Sequence, residues 1–377
     1  MSPRPPLLEA RRVVIKLGTR VLTHDDGRLA LARLFGVVEA AAALRREGRD
    51  VLLVSSGAVG LGRDALGGVE PATLADRQAC AAVGQTRLMG LYQEGFSRLG
   101  LVTAQVLLTQ GDFDDRLRYL NLRSTLSRLL EQGVVPVINE NDAVSTEELA
   151  FHGDSQRVFG DNDRLSALVA TKLGADLLVL LTDVAGVYES DPRENPDAEL
   201  LPLVERAEDL KAKVGGARSQ ASRGGMQSKV EAAAIAARAG CHAVIASGRA
   251  PEALAGVLAG EATGTWFPPR SELPARRRWI AFATGARGRL ILDPGAVAAL
   301  RERGASLLAP GVSRVEGEFQ KGEVVELCTA SGALVGRGLV ACDAEAARRW
   351  CEGEAPAGTR NHDALVHRNH LVLEPQA

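Results

Sequence analysis

Between residues 13 and 264, short apolar runs rich in β-branched residues alternate with longer segments of helical character. The apolar runs cover 13–15, 51–54, 102–108, 134–138, 177–181 and 243–245. Between them lie alanine- and leucine-rich stretches at 30–46, 120–131, 164–172 and 228–239. Several of these end at a glycine (Gly48, Gly133, Gly174, Gly240), the residue that most readily closes a helix. Strands that are apolar throughout and alternate with helices predict an α/β fold: an open, mostly parallel sheet with helices on both faces. Other α/β enzyme folds share this periodicity.

The pattern changes at a proline-rich break, Phe267-Pro268-Pro269 through Pro274. Beyond it, shorter alternating strands at 289–292, 323–328 and 334–340 predict a small β-rich second domain. The expected division is a first domain at 1–266, a linker at 267–275, a second domain at 276–354 and a tail at 355–377 holding one more strand.

Composition narrows the classes. The 377 residues carry a formal net charge of -2, which argues against nucleic acid or an anionic membrane as the main partner. Five scattered cysteines without a C-x-x-C pair fit reduced thiols better than a disulfide framework or a zinc site. The first twelve residues hold no apolar core of signal-peptide length and no later stretch approaches a membrane span, so the expected location is the cytoplasm.

Lysine is scarce, limited to Lys16, Lys172, Lys211, Lys213, Lys229 and Lys321. Lys16 closes the first apolar run and precedes Leu17-Gly18-Thr19. Ligands of parallel α/β sheets bind at the carboxyl ends of strands, where Gly18 lets backbone N–H groups approach a phosphate beside the ammonium. Taken alone, Lys16 also reads as a surface lysine at a strand end. Ser55-Ser56-Gly57-Ala58 follows the second run as a strand-to-helix turn suited to an anion. Asn139-Glu140-Asn141-Asp142 ends the run at 134–138, where amides and carboxylates suit an amino group, although a turn uses the same residues. Gly160-Asp161-Asn162-Asp163 precedes a helix and holds more carboxylate than one cap requires; Asp163 could align two lysines. Thr182-Asp183 ends a further strand, and Arg223-Gly224-Gly225-Met226 leads into a helix bearing Lys229. Together these motifs place Lys16, Ser56, Asp142, Asn162, Asp183 and Gly225 at one edge of the expected sheet.

In this order the motifs closely resemble the glutamate 5-kinase group of the amino-acid kinase family, above all the run Pro136-Val137-Ile138-Asn139-Glu140-Asn141-Asp142. The segment 276–354 is similar to the PUA domain that many bacterial members carry. The resemblance implies phosphorylation of the γ-carboxylate of L-glutamate by ATP and Mg2+, with no metal ligand from the protein. It implies that Lys16, Lys229 and Asp163 serve the transfer, and that Ser56, Gly57, Asn139, Asp142 and Asn162 bind glutamate. It assigns Lys16, Gly18, Thr182, Asp183, Arg223, Gly224, Gly225, Met226 and Lys229 to ATP. It further implies a dimer or tetramer, inhibition by proline, and glutamyl phosphate reductase as a functional partner.

Three departures stand out. Arg20 occupies a position where the family more often has serine, Arg223 stands for a usual threonine, and the segment 143–160 is longer than expected. Its His152 reads as a lid or oligomer contact. Two alternatives remain at this stage. The acceptor could be another small acid such as N-acetylglutamate or aspartate, or the second domain could bind RNA. Against the latter, Arg276 to Arg278, Arg301 and Arg303 are interleaved with Glu316, Glu318, Glu323 and Glu326.

Overall fold

The computed structural model describes residues 4–68, 70–144, 162–192, 194–207, 210, 225–270, 286, 288–354 and 364–374. The chain divides into two compact units, residues 1–272 apart from 113–116, and residues 273–377 with those four.

The first unit is built on seven strands: β1 (Arg12–Leu17), β2 (Asp50–Ser55), β3 (Thr103–Leu108), β4 (Val135–Glu140), β5 (Leu177–Thr182), β6 (His242–Ser247) and β7 (Thr265–Phe267). Their order is β3-β4-β2-β1-β5-β6-β7, and every pairing is parallel except β6 with β7. The open parallel sheet expected from the apolar runs is therefore present, closed at one edge by a short antiparallel strand. The chain leaves β1 toward β2 and its neighbours, then returns to the other side of β1 for β5. That reversal opens a crevice at the carboxyl ends of the central strands, where ligands of such sheets bind.

Along residues 1–272 the described helices are α1 (Thr19–Leu22), α2 (Leu31–Arg46), α3 (Ala58–Ala65), α4 (Leu74–Arg98), α5 (Gly111–Asp114), α6 (Arg116–Glu131), α7 (Asn162–Leu173), α8 (Gly225–Arg238) and α9 (Pro251–Leu258), with residues 113–116 of α5 and α6 grouped with the second unit. Strands β1, β4 and β5 are buried along almost their whole length, as the near-continuous apolar runs require. One core joins Val13, Ile15 and Leu17 of β1 with Leu34, Val38 and Ala41 of α2, Leu88 and Phe96 of α4, and Val179 of β5. Full burial of each large aliphatic side chain contributes roughly 1.5–3 kcal/mol.

Two details of this unit fix the crevice. Gly57 caps α3 at φ 103°, a left-handed conformation that a side chain would strain, so the chain turns sharply after Ser56. Helices α3 and α4 then pack so closely that a Cβ on Gly84 would lie 1.7 Å from the Ala58 carbonyl oxygen. α4 itself starts in a capping box, with Thr73 Oγ1 accepting from Asp76 N–H and the Asp76 carboxylate accepting from Thr73 N–H. Ser55 Oγ meets the buried Tyr92 hydroxyl at 2.9 Å, tying the end of β2 to α4.

The second unit holds β8 (Gly288–Leu292), β9 (Val312–Gly317), β10 (Val324–Thr329), β11 (Leu334–Val340) and β12 (Val366–Leu373) in the order β12-β11-β10-β8-β9. Helices α10 (Pro294–Arg303) and α11 (Ala344–Cys351) are capped by Asp293 and Asp343. Leu290, Leu292, Leu300, Val325, Leu327, Val335 and Val366 form its core. Thus the strand read in the tail is hydrogen-bonded to β11 and shares this core.

All five cysteines are free thiols, and burial pushes the Cys342 thiol up to about 11. Among the described residues, no helix is long and apolar enough to cross a membrane.

Candidate active site

Lys16 sits one residue before the end of β1, between β2 and β5, so its stem lies in the sheet and its ammonium reaches the carboxyl edge. Asp163 is the second residue of α7, the helix that packs across β1, β2, β4 and β5. Asp163 Oδ1 lies 2.6 Å from Lys16 Nζ, and Asp163 Oδ2 lies 3.0 Å from Lys229 Nζ in the first turns of α8. Ser228 Oγ donates to the same Oδ2 at 2.8 Å, and Lys229 Nζ also donates to the Gly225 carbonyl at 2.9 Å.

This group is nearly dry: Asp163 is 0% exposed, Lys16 3% and Lys229 9%. Burial alone pushes the Asp163 carboxyl up, but the charges and hydrogen bonds of Lys16 and Lys229 outweigh it and hold the carboxyl below its ordinary value. Two ammoniums on one carboxylate leave an excess positive charge at the crevice. The N-terminus of α8, at Gly225, adds backbone N–H groups with the same preference for an anion. Gly18 lies against this group, since a Cβ there would meet Lys16 Nζ at 3.4 Å, an ordinary van der Waals contact.

A second, neutral cluster lies beside the first. Asn162 Nδ2 donates to Ser56 Oγ at 2.9 Å and to Asn139 Oδ1 at 3.0 Å. Asn139 is the fifth residue of β4 and is fully buried, so the strand continues two residues into the motif read as following it. Asn139 Nδ2 donates to Gln85 Oε1 at 2.9 Å. Asp142 follows two residues after β4, half-buried in a turn.

On the β5 side, Thr182 Oγ1 donates to Asp183 Oδ1 at 3.1 Å, and Arg20 reaches Asp183 Oδ2 at 3.3 Å. Burial pushes the Asp183 carboxyl up, yet its own backbone N–H, the Thr182 hydroxyl and Arg20 together hold it below its ordinary value. Met226 is half-buried in the first turn of α8.

The structure thus brings Lys16, Gly18, Asp163, Gly225 and Lys229 together, and sets Ser56, Gly57, Asn139 and Asn162 beside them. Arg223, Gly224, His152 and most of the 143–160 segment lie outside the described residues. Two contributors escape a reading by motif. Gln85 is inside a long helix with no signature around it, and Ser228 is noticed only once Lys229 is placed.

Buried lysines joined by one carboxylate at the switch point of a parallel sheet, beside two helix N-termini, make a site suited to a bound anion in an α/β fold. The comparisons with known proteins give the class. The amino acid kinase family matches residues 11–247, and the PUA domain matches residues 288–357. The chain belongs to the amino acid kinase family. It is similar over nearly its full length to proteins named glutamate 5-kinase. That of Deinococcus radiodurans is 49% identical over 370 residues, 96% of this chain and 99% of that protein. That of Synechococcus elongatus is 46% identical over 371 residues, 96% of this chain and 99% of that protein. The one from Trichlorobacter lovleyi is 44% identical over 375 residues, 97% and 98% respectively.

Proposed function

We propose that this chain transfers the γ-phosphoryl group of ATP to the γ-carboxylate of L-glutamate, giving L-glutamyl 5-phosphate and ADP, the first step of proline biosynthesis. The observation that carries this is the Lys16–Asp163–Lys229 bridge lying beside the Ser56–Asn162–Asn139 cluster, in a chain so similar to glutamate 5-kinases. The reaction needs an oxygen of the acceptor carboxylate to form a bond to Pγ while the bond from Pγ to the β,γ-bridging oxygen breaks. A carboxylate is already a nucleophile at neutral pH, so no general base is required. The difficulty is charge. Two unit charges 4 Å apart repel by about 1 kcal/mol in water and by about 4 kcal/mol at an effective dielectric near 20.

The residues answer that difficulty in separate places. Lys16 and Lys229 supply positive charge where negative charge builds up on the transferring group, and Asp163 keeps both ammoniums aligned before substrate arrives. Ser56, Gly57, Asn139, Asp142 and Asn162 hold the amino acid. Gly18, Thr182, Asp183, Arg223, Gly224, Gly225 and Met226 line the nucleotide. Mg2+ bound together with the nucleotide would neutralise charge on its phosphates. Proline acts as a feedback inhibitor, the working form is a cytoplasmic dimer or tetramer, and a glutamyl phosphate reductase takes the labile product.

The test is acyl-hydroxamate formation with ATP, magnesium, hydroxylamine and a panel of acids. Glutamate-dependent product, absent with N-acetylglutamate and aspartate and reduced by proline, is the expected result. ATP binding without product from glutamate would overturn the assignment.

A further inference from the structure

One donor fixes every direction in the amide cluster. The backbone N–H of Glu140 reaches Asn139 Oδ1 at 2.9 Å, and an N–H can only donate. Asn139 is therefore held with Nδ2 toward Gln85 Oε1 and Oδ1 toward Asn162 Nδ2. A flipped Gln85 would set two amino groups against each other. Asn162 Nδ2 is then committed to Asn139 and Ser56, so Asn162 Oδ1 points elsewhere. That oxygen is buried and has no hydrogen-bond partner among the described residues. Ser56 Oγ accepts from Asn162, which leaves its hydroxyl proton for another acceptor. A buried oxygen acceptor beside a hydroxyl donor matches the ammonium and carboxylate of an amino acid.

We infer that Gln85 is a positioning residue for the acceptor amino acid: by accepting from Asn139 Nδ2 it holds Asn139 in the orientation that the Glu140 N–H selects, so that Asn162 presents its oxygen to the substrate ammonium. This rests on the glutamate reading above. Gln85 is 8% exposed and stands behind Asn139, so it acts through Asn139 and Asn162 and touches no substrate itself. Its place is set by the backbone, because the adjacent Gly84 packs against Ala58 at the start of α3, two residues after Ser56. Helix α4, through Gln85, thereby holds both the serine turn and the amide pair in register. Without the Gln85 oxygen, Asn139 Nδ2 loses its buried acceptor, and the amide can turn away from the geometry that orients Asn162.

The experiment compares Gln85→Leu, which removes the acceptor at similar volume, with Gln85→Glu, which keeps an oxygen there. Hydroxamate formation is measured with glutamate and with glutarate, which lacks the amino group, and thermal melting of each variant establishes its fold. Gln85→Leu should raise the glutamate KM about tenfold or more, the scale of one buried hydrogen bond, with the ATP KM and kcat within about twofold. Its preference for glutamate over glutarate should fall by a similar factor, and Gln85→Glu should restore the glutamate KM to within about threefold of wild type. If Gln85→Leu melts below the assay temperature, Gln85→Met carries the same expectation. An unchanged glutamate KM, or equal losses for glutamate and glutarate, overturns the inference while leaving the activity in place. Failure of the wild-type protein to use glutamate would overturn the functional reading and this inference with it.

Discussion

Lys16 Nζ and Asp163 Oδ1 are 2.6 Å apart at the carboxyl end of the central strand, with side-chain exposures of only 4% and 1%. A carboxylate this deeply buried stays ionised because Lys16 and, on its other oxygen, Lys229 together outweigh the cost of burial. Asp163 thus counters the mutual repulsion of two ammoniums that a bound phosphoryl group would otherwise have to offset.

Asp163→Asn tests that arrangement. The amide keeps the shape but removes the charge, leaving two buried lysines without their counter-ion. Turnover should fall by about 100-fold or more, the scale of losing one preorganised charged group at a reaction centre. Stability of the ligand-free protein should fall as well, by about 3 kcal/mol. Steady-state kinetics and chemical denaturation check the two effects separately. A turnover within tenfold of wild type would remove the bridge from the mechanism.

The contact between α3 and α4 gives a prediction about stability. A Cβ on Gly84 would sit 1.7 Å from the Ala58 carbonyl oxygen, so the helices must separate to admit it. Gly90, in the same helix, is exposed and has nothing within 4 Å of its added Cβ. Gly84→Ala should therefore cost about 3 kcal/mol or more and raise the glutamate KM, since Ser56 and Gln85 depend on this contact. Gly90→Ala should stabilise by about 0.5–1 kcal/mol without touching activity. Equal melting temperatures for the two variants would contradict the close packing.

His242 sets a pH dependence. Burial pushes the His242 imidazole below its ordinary value, and the nearby carboxylate of Asp176 opposes this only in part. Its Nδ1 accepts from the Trp266 indole N–H at 3.2 Å, with the rings stacked and the Arg4 guanidinium 5.8 Å over the Trp266 ring. The folded state therefore favours neutral His242, whereas the unfolded chain protonates near pH 6.5. Below that pH the unfolded state binds more protons, so stability falls as the pH is lowered toward the folded value. His242→Gln should lose less stability than wild type between pH 7.5 and 5.5 in urea titrations. An equal loss would show that other groups carry the whole effect.

Much of this architecture is legible in the chain because its central strands are buried on both faces. Runs such as Leu177–Thr182 can hardly be read otherwise, and the polar residues that end them fall at the carboxyl edge by construction. Strand β7 is not legible in this way. It has three residues, is antiparallel, and runs into Pro268-Pro269, so its sequence resembles a linker. Val102 shows the opposite error: it extends an apolar run, yet it lies outside β3 and is exposed. Site residues were visible where a motif surrounds them, as at Asn139 and Asp163. Gln85 was not, because its role comes from a helix packing distance and from the direction of a backbone N–H, neither of which leaves a local pattern.

Arg20, one of the positions that the sequence reading sets apart from the family's usual residue, is paired with Asp183 next to β5. Its side chain is 71% exposed and its ion pair with Asp183 spans 3.3 Å, so the pair contributes less than about 1 kcal/mol to stability. Its effect should appear on the nucleotide instead. Asp183 follows directly after β5, and in the proposed reading Arg20 offsets part of its negative charge beside the nucleotide. Arg20→Ser should leave the melting temperature within about 2 °C while raising the ATP KM severalfold at low ionic strength. The difference should shrink toward 0.5 M salt, where exposed charges are screened over a few ångströms, and the glutamate KM should not move. A salt-independent change would mean that Arg20 acts by shape, and no change would place it outside the nucleotide site.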